Sequence, residues 1–226
     1  MRRFASILAF LTLLFAASGQ THYEGTIAVG GKGGMTLSRV NFNPSVQQTM
    51  LPGMTAGAMF RYIEENHFGL VAELNLAQRG WKEAYDDVDY SYSHRFTCLE
   101  LPVMTHIYFG NNRVKGFFNL GPELNLIIGD GISSNFDYRN AASMEYFNTN
   151  VRHLEQMTMD VKNRLDYGIC GGAGMELNLN RRHSVLLEGR FYYGLTDVFS
   201  SHKTDVFSSS NSMTVMVTLG YFYRLK

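Results

Sequence analysis

The segment VLLEGRFYYGL, residues 185–195, alternates between two kinds of position along its whole length. One phase, from Val185 to Leu195, holds only apolar, aromatic and glycine residues, whereas the other includes Glu188 and Arg190. Because successive side chains of a β-strand point to opposite faces, this alternation predicts a strand with one apolar and one charged face. Its length matches the roughly 9–11 residues that a tilted strand needs to cross a bilayer.

Seven further segments repeat the alternation, and no segment has a convincing helical period of 3.6 residues. They span residues 27–37, 54–62, 68–76, 99–109, 114–126, 167–179 and 213–225. The apolar phase of the eight segments contains 49 positions and no charged residue, although 18% of the chain is charged. The sequence therefore predicts eight strands, each with one uncharged face.

The opposite phase carries both signs of charge in equal number. Its six basic residues are Lys32, Arg61, Arg79, Lys115, Arg190 and Arg224. Its six acidic residues are Glu73, Glu100, Glu123, Asp166, Glu176 and Glu188. An unpaired charge in a dry interior costs on the order of several kcal/mol, so equal numbers suit a closed lumen. We call these twelve residues the lumen charge network and predict that they neutralise one another.

The connections between the eight segments are alternately long and short. The short ones are residues 64–66, 110–113 and 180–182, and the long ones are about 39–52, 82–94, 129–164 and 197–210. Strict alternation places every long loop at the same end of an antiparallel up-and-down barrel. Outer-membrane barrels have this form, with short periplasmic turns and long external loops.

Alternation alone leaves open which phase faces outward, because a soluble lipocalin-like barrel would bury the apolar phase inside. Ten glycines lie in the charged phase, including Gly57, Gly121 and Gly194. Glycines weaken strands and serve no purpose on a solvated surface, but they make room in a narrow eight-stranded lumen. The sequence therefore favours an all-β, eight-stranded transmembrane barrel with its apolar phase towards lipid.

The N-terminus predicts export. Two arginines precede an apolar stretch from Phe4 to Ala17, and small residues follow up to Gly19. This is the pattern of a cleaved signal peptide over residues 1–19, which leaves a barrel domain over residues 20–226. An apolar first helix of the mature fold is the alternative. Cys98 and Cys170 could pair in an oxidising compartment, but two separate buried cysteines are the simpler expectation.

The overall composition argues against nucleic-acid binding, and its average hydropathy gives no sign of a membrane protein. Lys and Arg number 20, as do Asp and Glu, which argues against nucleic-acid binding because phosphate recognition needs a basic excess. The mean hydropathy of −0.13 resembles that of a soluble globule. No internal apolar run reaches the roughly 18 residues of a transmembrane helix. Apolar residues are instead concentrated on one face of the strands.

Several short motifs follow one another along the mature chain. They are GGMTLS at 33–38, ELNLAQRG at 73–80, LELPV at 99–103, the Gly-Pro pair at 121–122, DYG at 166–168 with GAG at 172–174, and EGRF at 188–191 with YGLT at 193–196. In their order and spacing they resemble the motifs of the PorT family of outer-membrane β-barrel proteins. The resemblance covers nearly the whole mature chain. It implies an eight-stranded barrel in the outer membrane of a Gram-negative bacterium but no biochemical activity. The founding members serve a protein-secretion system, which makes an accessory role in secretion an alternative.

Residues able to support catalysis are few. A barrel lipid-modifying enzyme would need a histidine and a serine near the membrane interface, and the candidates are His106 in the charged phase and His202 in a loop. Neither belongs to a triad-like motif. We therefore expect no enzyme activity and no cofactor.

Two groups in loop 82–94 have alternative interpretations. Asp86, Asp87 and Asp89 are typical of a solvated acidic loop and lack the pattern of an EF-hand, so no metal site is expected. Tyr85, Tyr90 and Tyr92 are predicted to anchor the barrel at the lipid headgroups, with a sticky external surface as the alternative.

These observations predict a non-enzymatic outer-membrane barrel with a structural, envelope or surface-interaction role. Its expected partners are the outer-membrane lipid and a protein or envelope component at the long external loops. The lumen charge network is expected to be structural, and a gated polar path for water or small ions is the alternative.

Overall fold

The computed structural model describes residues 25–65, 67–149, 153–159, 161, 163–199 and 206–225. The predicted signal peptide and His202 lie outside these residues. The strands are β1 (Thr26–Asn43), β2 (Gln48–Thr49), β3 (Leu51–Glu65), β4 (Phe68–Glu83), β5 (Tyr92–Gly110), β6 (Val114–Ser134), β7 (Leu165–Asn178), β8 (His183–Asp197) and β9 (Ser209–Arg224).

Eight long strands form a closed ring. Each pairs antiparallel with its neighbours in the order β3-β1-β9-β8-β7-β6-β5-β4, and pairing of β3 with β4 completes the ring. The two-residue β2 pairs with the end of β4. The predicted eight-stranded, up-and-down β-barrel is confirmed.

The two phases face as predicted. Met35, Leu120 and Leu219 in the apolar phase are about 60% exposed on the outside of the ring (62%, 60% and 61%), whereas Glu100 and Arg190 in the charged phase are buried. An apolar exterior around a polar interior is the arrangement of a barrel in lipid. A soluble lipocalin-like barrel would have the reverse arrangement.

Glycines in the charged phase accommodate large neighbours, as expected. A Cβ on Gly57 would stand 2.1 Å from the Asn75 amide oxygen, and one on Gly194 would stand 2.6 Å from the Asp166 carboxylate. Any side chain at these two positions would push a polar lumen residue out of place. The small residues therefore set where the lumen side chains sit.

The strands are longer than predicted at the end that carries the long loops. The connections between long strands there are residues 44–50, 84–91, 135–164 and 198–208, so the predicted loop bounds were too wide. The reason is that the inward phase itself becomes apolar beyond the lipid-facing belt, at Val40, Phe42 and Trp81. The contrast between phases disappears there, although the hydrogen-bonded ladder continues.

Apolar residues at this end form a closed cluster, which we call the outer cap. The strands contribute Val40, Phe42, Trp81, Tyr92, Phe96, Cys98 and Ile127, and the loops contribute Ala141, Phe147, Met157, Val198, Phe199 and Phe207. Loop 135–164 contains two 3₁₀ turns (Tyr138–Ser143 and Glu155–Met157) and the short helix α1 (Glu145–Thr149). Its described part therefore folds into the barrel mouth. Within the described residues, no helix has the length and hydropathy needed to span a membrane.

Candidate functional site

The middle layer of the lumen is an ion-pair cluster that joins opposite walls. Arg190 on β8 makes two hydrogen bonds of 2.8 Å to Glu73 on β4, which lies four strands away around the ring. Arg190 also bonds Glu188 at 2.7 Å, and the Lys32 ammonium lies 2.7 Å from Glu73. All four side chains are buried. Two cations and two carboxylates thus fill the centre of the barrel.

Neutral side chains complete the middle layer. Asn75 donates to Glu73 at 3.0 Å, and Asn119 donates to Glu188 at 2.8 Å. The Asn119 amide oxygen lies 2.7 Å from Nδ1 of His106, so that nitrogen is the donor. His106, the candidate catalytic base, is therefore a buried lumen residue held by an amide.

The inner layer lies towards the short turns. Arg61 on β3 reaches Glu176 on the opposite wall through two hydrogen bonds of 2.5 and 2.9 Å. The Arg61 guanidinium also stacks 4.2 Å above the ring of Phe222. Lys115 and Arg224 complete this layer; both are partly exposed, and the Lys115 ammonium lies 4.4 Å from the centre of the Tyr108 ring.

The outer layer lies beneath the outer cap. The same nitrogen of Arg79 lies 2.5 Å from Glu100 and 2.5 Å from Glu123. The Arg79 guanidinium stacks 4.1 Å over the Tyr192 ring, and the Tyr192 hydroxyl donates to Asp166 at 2.7 Å. The outer layer therefore contains one cation and three carboxylates.

The equal charges of the network are unequally distributed along the barrel axis. The outer layer has one cation and three carboxylates, the middle layer two of each, and the inner layer three cations and one carboxylate. The sequence predicted that the charges of the whole network balance. Taken layer by layer, only the middle layer has as many cations as carboxylates. The lumen has an acidic outer part and a basic inner part.

The loop tyrosines occupy other positions than predicted. Tyr92 is fully buried, and its hydroxyl donates to the backbone oxygen of Met157 at 3.0 Å. Tyr85 and Tyr90 pack against Phe147, with ring centroids 6.0 Å away in both cases. The prediction of headgroup anchors was wrong, because these rings cover the apolar mouth of the barrel instead of pointing to lipid.

A buried histidine beneath the outer cap was not identified from the sequence. His94 packs between Trp81 and Phe96, with ring centroids 4.7 and 4.9 Å away, and its Nε2 lies 3.4 Å from Asp130. Burial lowers the pKa of His94 from its ordinary value, and Asp130 partly opposes this effect. A cavity of about 460 Å³ lies beside the pair. Nothing in the sequence distinguishes His94 from a solvated loop residue.

The remaining candidates form no site. Cys98 and Cys170 are both buried and unpaired, as the simpler expectation held. Asp86, Asp87 and Asp89 are exposed. Within the described ranges, no group of three His, Cys, Asp or Glu side chains converges to hold a metal ion.

Comparison with known proteins identifies the class of barrel. The sequence model of one family, described as outer membrane protein beta-barrel domain, matches residues 16–200. The outer membrane protein OprG of Pseudomonas aeruginosa is similar in structure, with a TM-score of 0.53 at 14% identity over 89% of this chain and 95% of that chain.

Two further solved structures have lower scores. Ail of Yersinia pestis has a TM-score of 0.43 at 15% identity, over 89% of this chain and 100% of that chain. The outer membrane enzyme PagL has a TM-score of 0.36 at 13% identity, over 87% of this chain and 98% of that chain. No curated protein matches the chain. At such identities the likeness to OprG shows the fold alone.

Proposed function

The chain belongs to the family of outer membrane β-barrel domain proteins, and we propose that it is a non-enzymatic member whose barrel is closed to solutes. Its role is structural or lies at the cell surface, in the outer membrane of a Gram-negative bacterium. The external loops, which fold over the mouth as the outer cap, then present the surface that meets a protein or envelope partner. The lumen charge network holds the walls together.

One observation carries this proposal: buried side chains fill the outer and middle layers of the lumen beneath the outer cap. Pairs such as Arg190 with Glu73 and Arg61 with Glu176 cross the whole diameter, and the outer cap lies above them. Eight-stranded barrels are narrow enough for side chains to fill the interior. Removing one partner of a buried pair costs about 3–5 kcal/mol, so these contacts also resist opening.

Conductance measurements test closure. The purified barrel, reconstituted in planar bilayers, is expected to give no stable current steps, because buried, paired side chains occupy the middle layer. Arg190→Ala with Glu73→Ala, which removes the cross-wall contact, is expected to raise the frequency of brief openings. A steady conductance of the unaltered protein would refute the proposal in favour of a polar path for ions.

Absence of enzyme activity is supported by the surroundings of His106. Its Nδ1 is committed to Asn119 in the middle of the lumen, away from the membrane interface where a lipid substrate would lie. Lipid profiles of cells carrying the unaltered protein and His106→Ala are expected to be the same. A lipid species that disappears with the variant would overturn this part of the proposal.

Kinship with the PorT family and an accessory role in secretion form a second candidate function. The ordered motifs support it, among them LELPV at 99–103, where Glu100 is a lumen residue. Deletion of the gene tests the secretion role directly. Loss of secreted cargo would support that role, and unchanged secretion would leave the envelope role.

A further inference from the structure

The end of the barrel with the short turns contains a basic cavity. It has a volume of about 510 Å³ and opens between the β5–β6 turn, the β7–β8 turn and the end of β9. Its basic lining residues are Arg113, Lys115, Arg181 and Arg224, and the others are Asn112, Asn178, Leu179 and Asn180. Four cations and no acidic side chain therefore line this cavity.

These four cations have no carboxylate of their own. None of them forms a salt bridge within the part of the chain that the structure describes. Glu176, the one carboxylate of the inner layer, is already engaged through both oxygens by Arg61. The Nε of Arg224 is buried and has no hydrogen-bond partner among the described residues. The inner end thus holds positive charge that the lumen does not compensate.

The cavity is held in shape by the turns themselves. The Asn111 side chain accepts hydrogen bonds from the backbone amides of Arg113 and Val114, at 2.9 and 2.8 Å. Asn178 donates to the backbone oxygen of Asn112 at 2.8 Å, which joins the two turns. The backbone that carries the cations is therefore fixed before a ligand arrives, so only the side chains need to be ordered on binding.

We propose that this cavity binds an anionic group, a cluster of carboxylates or phosphates, on a soluble ligand from the periplasm. Short turns face the periplasm in barrels of this class. Lys115, Asn178 and Arg224 lie in the lumen phase of their strands, whereas their neighbours Val114 and Leu177 face outward. Two of the four cations, Lys115 and Arg224, therefore face the barrel axis, and Arg113 and Arg181 are exposed in the turns beside them. The volume suits a ligand with several anionic groups better than a single small ion.

Titration calorimetry on the barrel in phosphatidylcholine nanodiscs tests the proposal, with citrate and inorganic phosphate as separate probes. Saturable one-to-one binding of citrate is expected, tighter than that of phosphate and weaker at 300 mM than at 50 mM NaCl, because salt screens partly exposed charges. Arg113→Gln and Arg181→Gln should each raise the Kd for citrate roughly five- to tenfold, as expected for loss of one charged hydrogen bond.

Arg182→Gln is the matched control. Arg182 is exposed in the same turn as Arg181 and carries the same charge, but it does not line the cavity. Its Kd for citrate should stay within about twofold of the unaltered protein, since only general screening changes. Unchanged heat-modifiable migration on gels confirms folding of each variant, and should Arg181→Gln fail to fold, Arg113→Gln carries the test.

Three outcomes would overturn the proposal. Absence of saturable binding would remove the site. Equal weakening by Arg181→Gln and Arg182→Gln would show attraction to general positive charge and not a cavity. Loss of citrate binding in nanodiscs that contain phosphatidylglycerol, with binding kept in phosphatidylcholine, would identify lipid headgroups as the occupant and overturn the soluble source.

Discussion

Replacing Arg61 by Met isolates one buried carboxylate in the lumen. Arg61 and Glu176 are bonded at 2.5 and 2.9 Å, and both side chains are at most 3% exposed. Removal of one partner from such a pair costs about 3–5 kcal/mol, chiefly because the remaining charge stays buried without compensation. Loss of the stacking on Phe222 adds roughly 0.5–2 kcal/mol, which the Met side chain partly restores.

The double variant Arg61→Met with Glu176→Met separates the cost of the stranded charge from the value of the pair. Replacement of a whole buried ion pair by apolar residues is often neutral or stabilising by about 1–4 kcal/mol. We therefore expect the double variant to be at least about 2 kcal/mol more stable than Arg61→Met alone. Lys115 lies opposite Glu176 on the neighbouring strand and compensates part of the stranded charge, so we expect a cost of about 3 kcal/mol for the single variant.

Urea unfolding in lipid vesicles measures these differences, followed by the fluorescence of Trp81, the only tryptophan, and by gel migration. Arg39→Met, at an exposed position, serves as the control and should change the free energy of unfolding by less than about 0.5 kcal/mol. A single variant within about 1 kcal/mol of the unaltered protein would refute the reasoning. So would a double variant no more stable than Arg61→Met.

Three further predictions concern the outer end. His94 has a lowered pKa in the folded state, so stability should be full above its ordinary value of 6.5 and fall as the pH drops below it. Protection of the cap amides, expressed relative to the intrinsic exchange rate at each pH, should be lower at pH 5.5 than at 7.5, and His94→Gln should abolish that difference. Phe199→Ala, at a fully buried position, should cost about 3–5 kcal/mol and expose the loops to proteolysis, and a protease-resistant variant would contradict the cap. Cys98 and Cys170 should react with a maleimide only after unfolding, and rapid labelling of the folded barrel would argue against their burial.

The sequence identified the residues of the lumen but not their contacts. Period-2 alternation is a local property, so Glu73, Glu188 and Arg190 could be assigned to the inward face from spacing alone. The pairing of Arg190 with Glu73 depends on ring closure, which brings β8 opposite β4. No pattern within one strand encodes that distance.

The apolar contacts of the outer cap could not be predicted from the sequence either. Phe42 and Trp81 lie in the inward phase, where the alternation predicts polar residues, and the loop residues Phe199 and Phe207 pack against Phe42. Contacts between a strand end and a distant loop follow from where the loop folds back, which composition does not reveal. The same applies to His94, whose burial depends on those rings.

Three properties follow from the sequence alone: the number of long strands, the faces of the side chains within the eight predicted segments, and the end at which the long loops lie. They do so because side-chain direction and loop length are local quantities. The distribution of the twelve charges along the axis, from one cation and three carboxylates in the outer layer to the reverse in the inner layer, became visible in the folded barrel alone. That distribution depends on strand register and stagger, and these are fixed only when the ring closes.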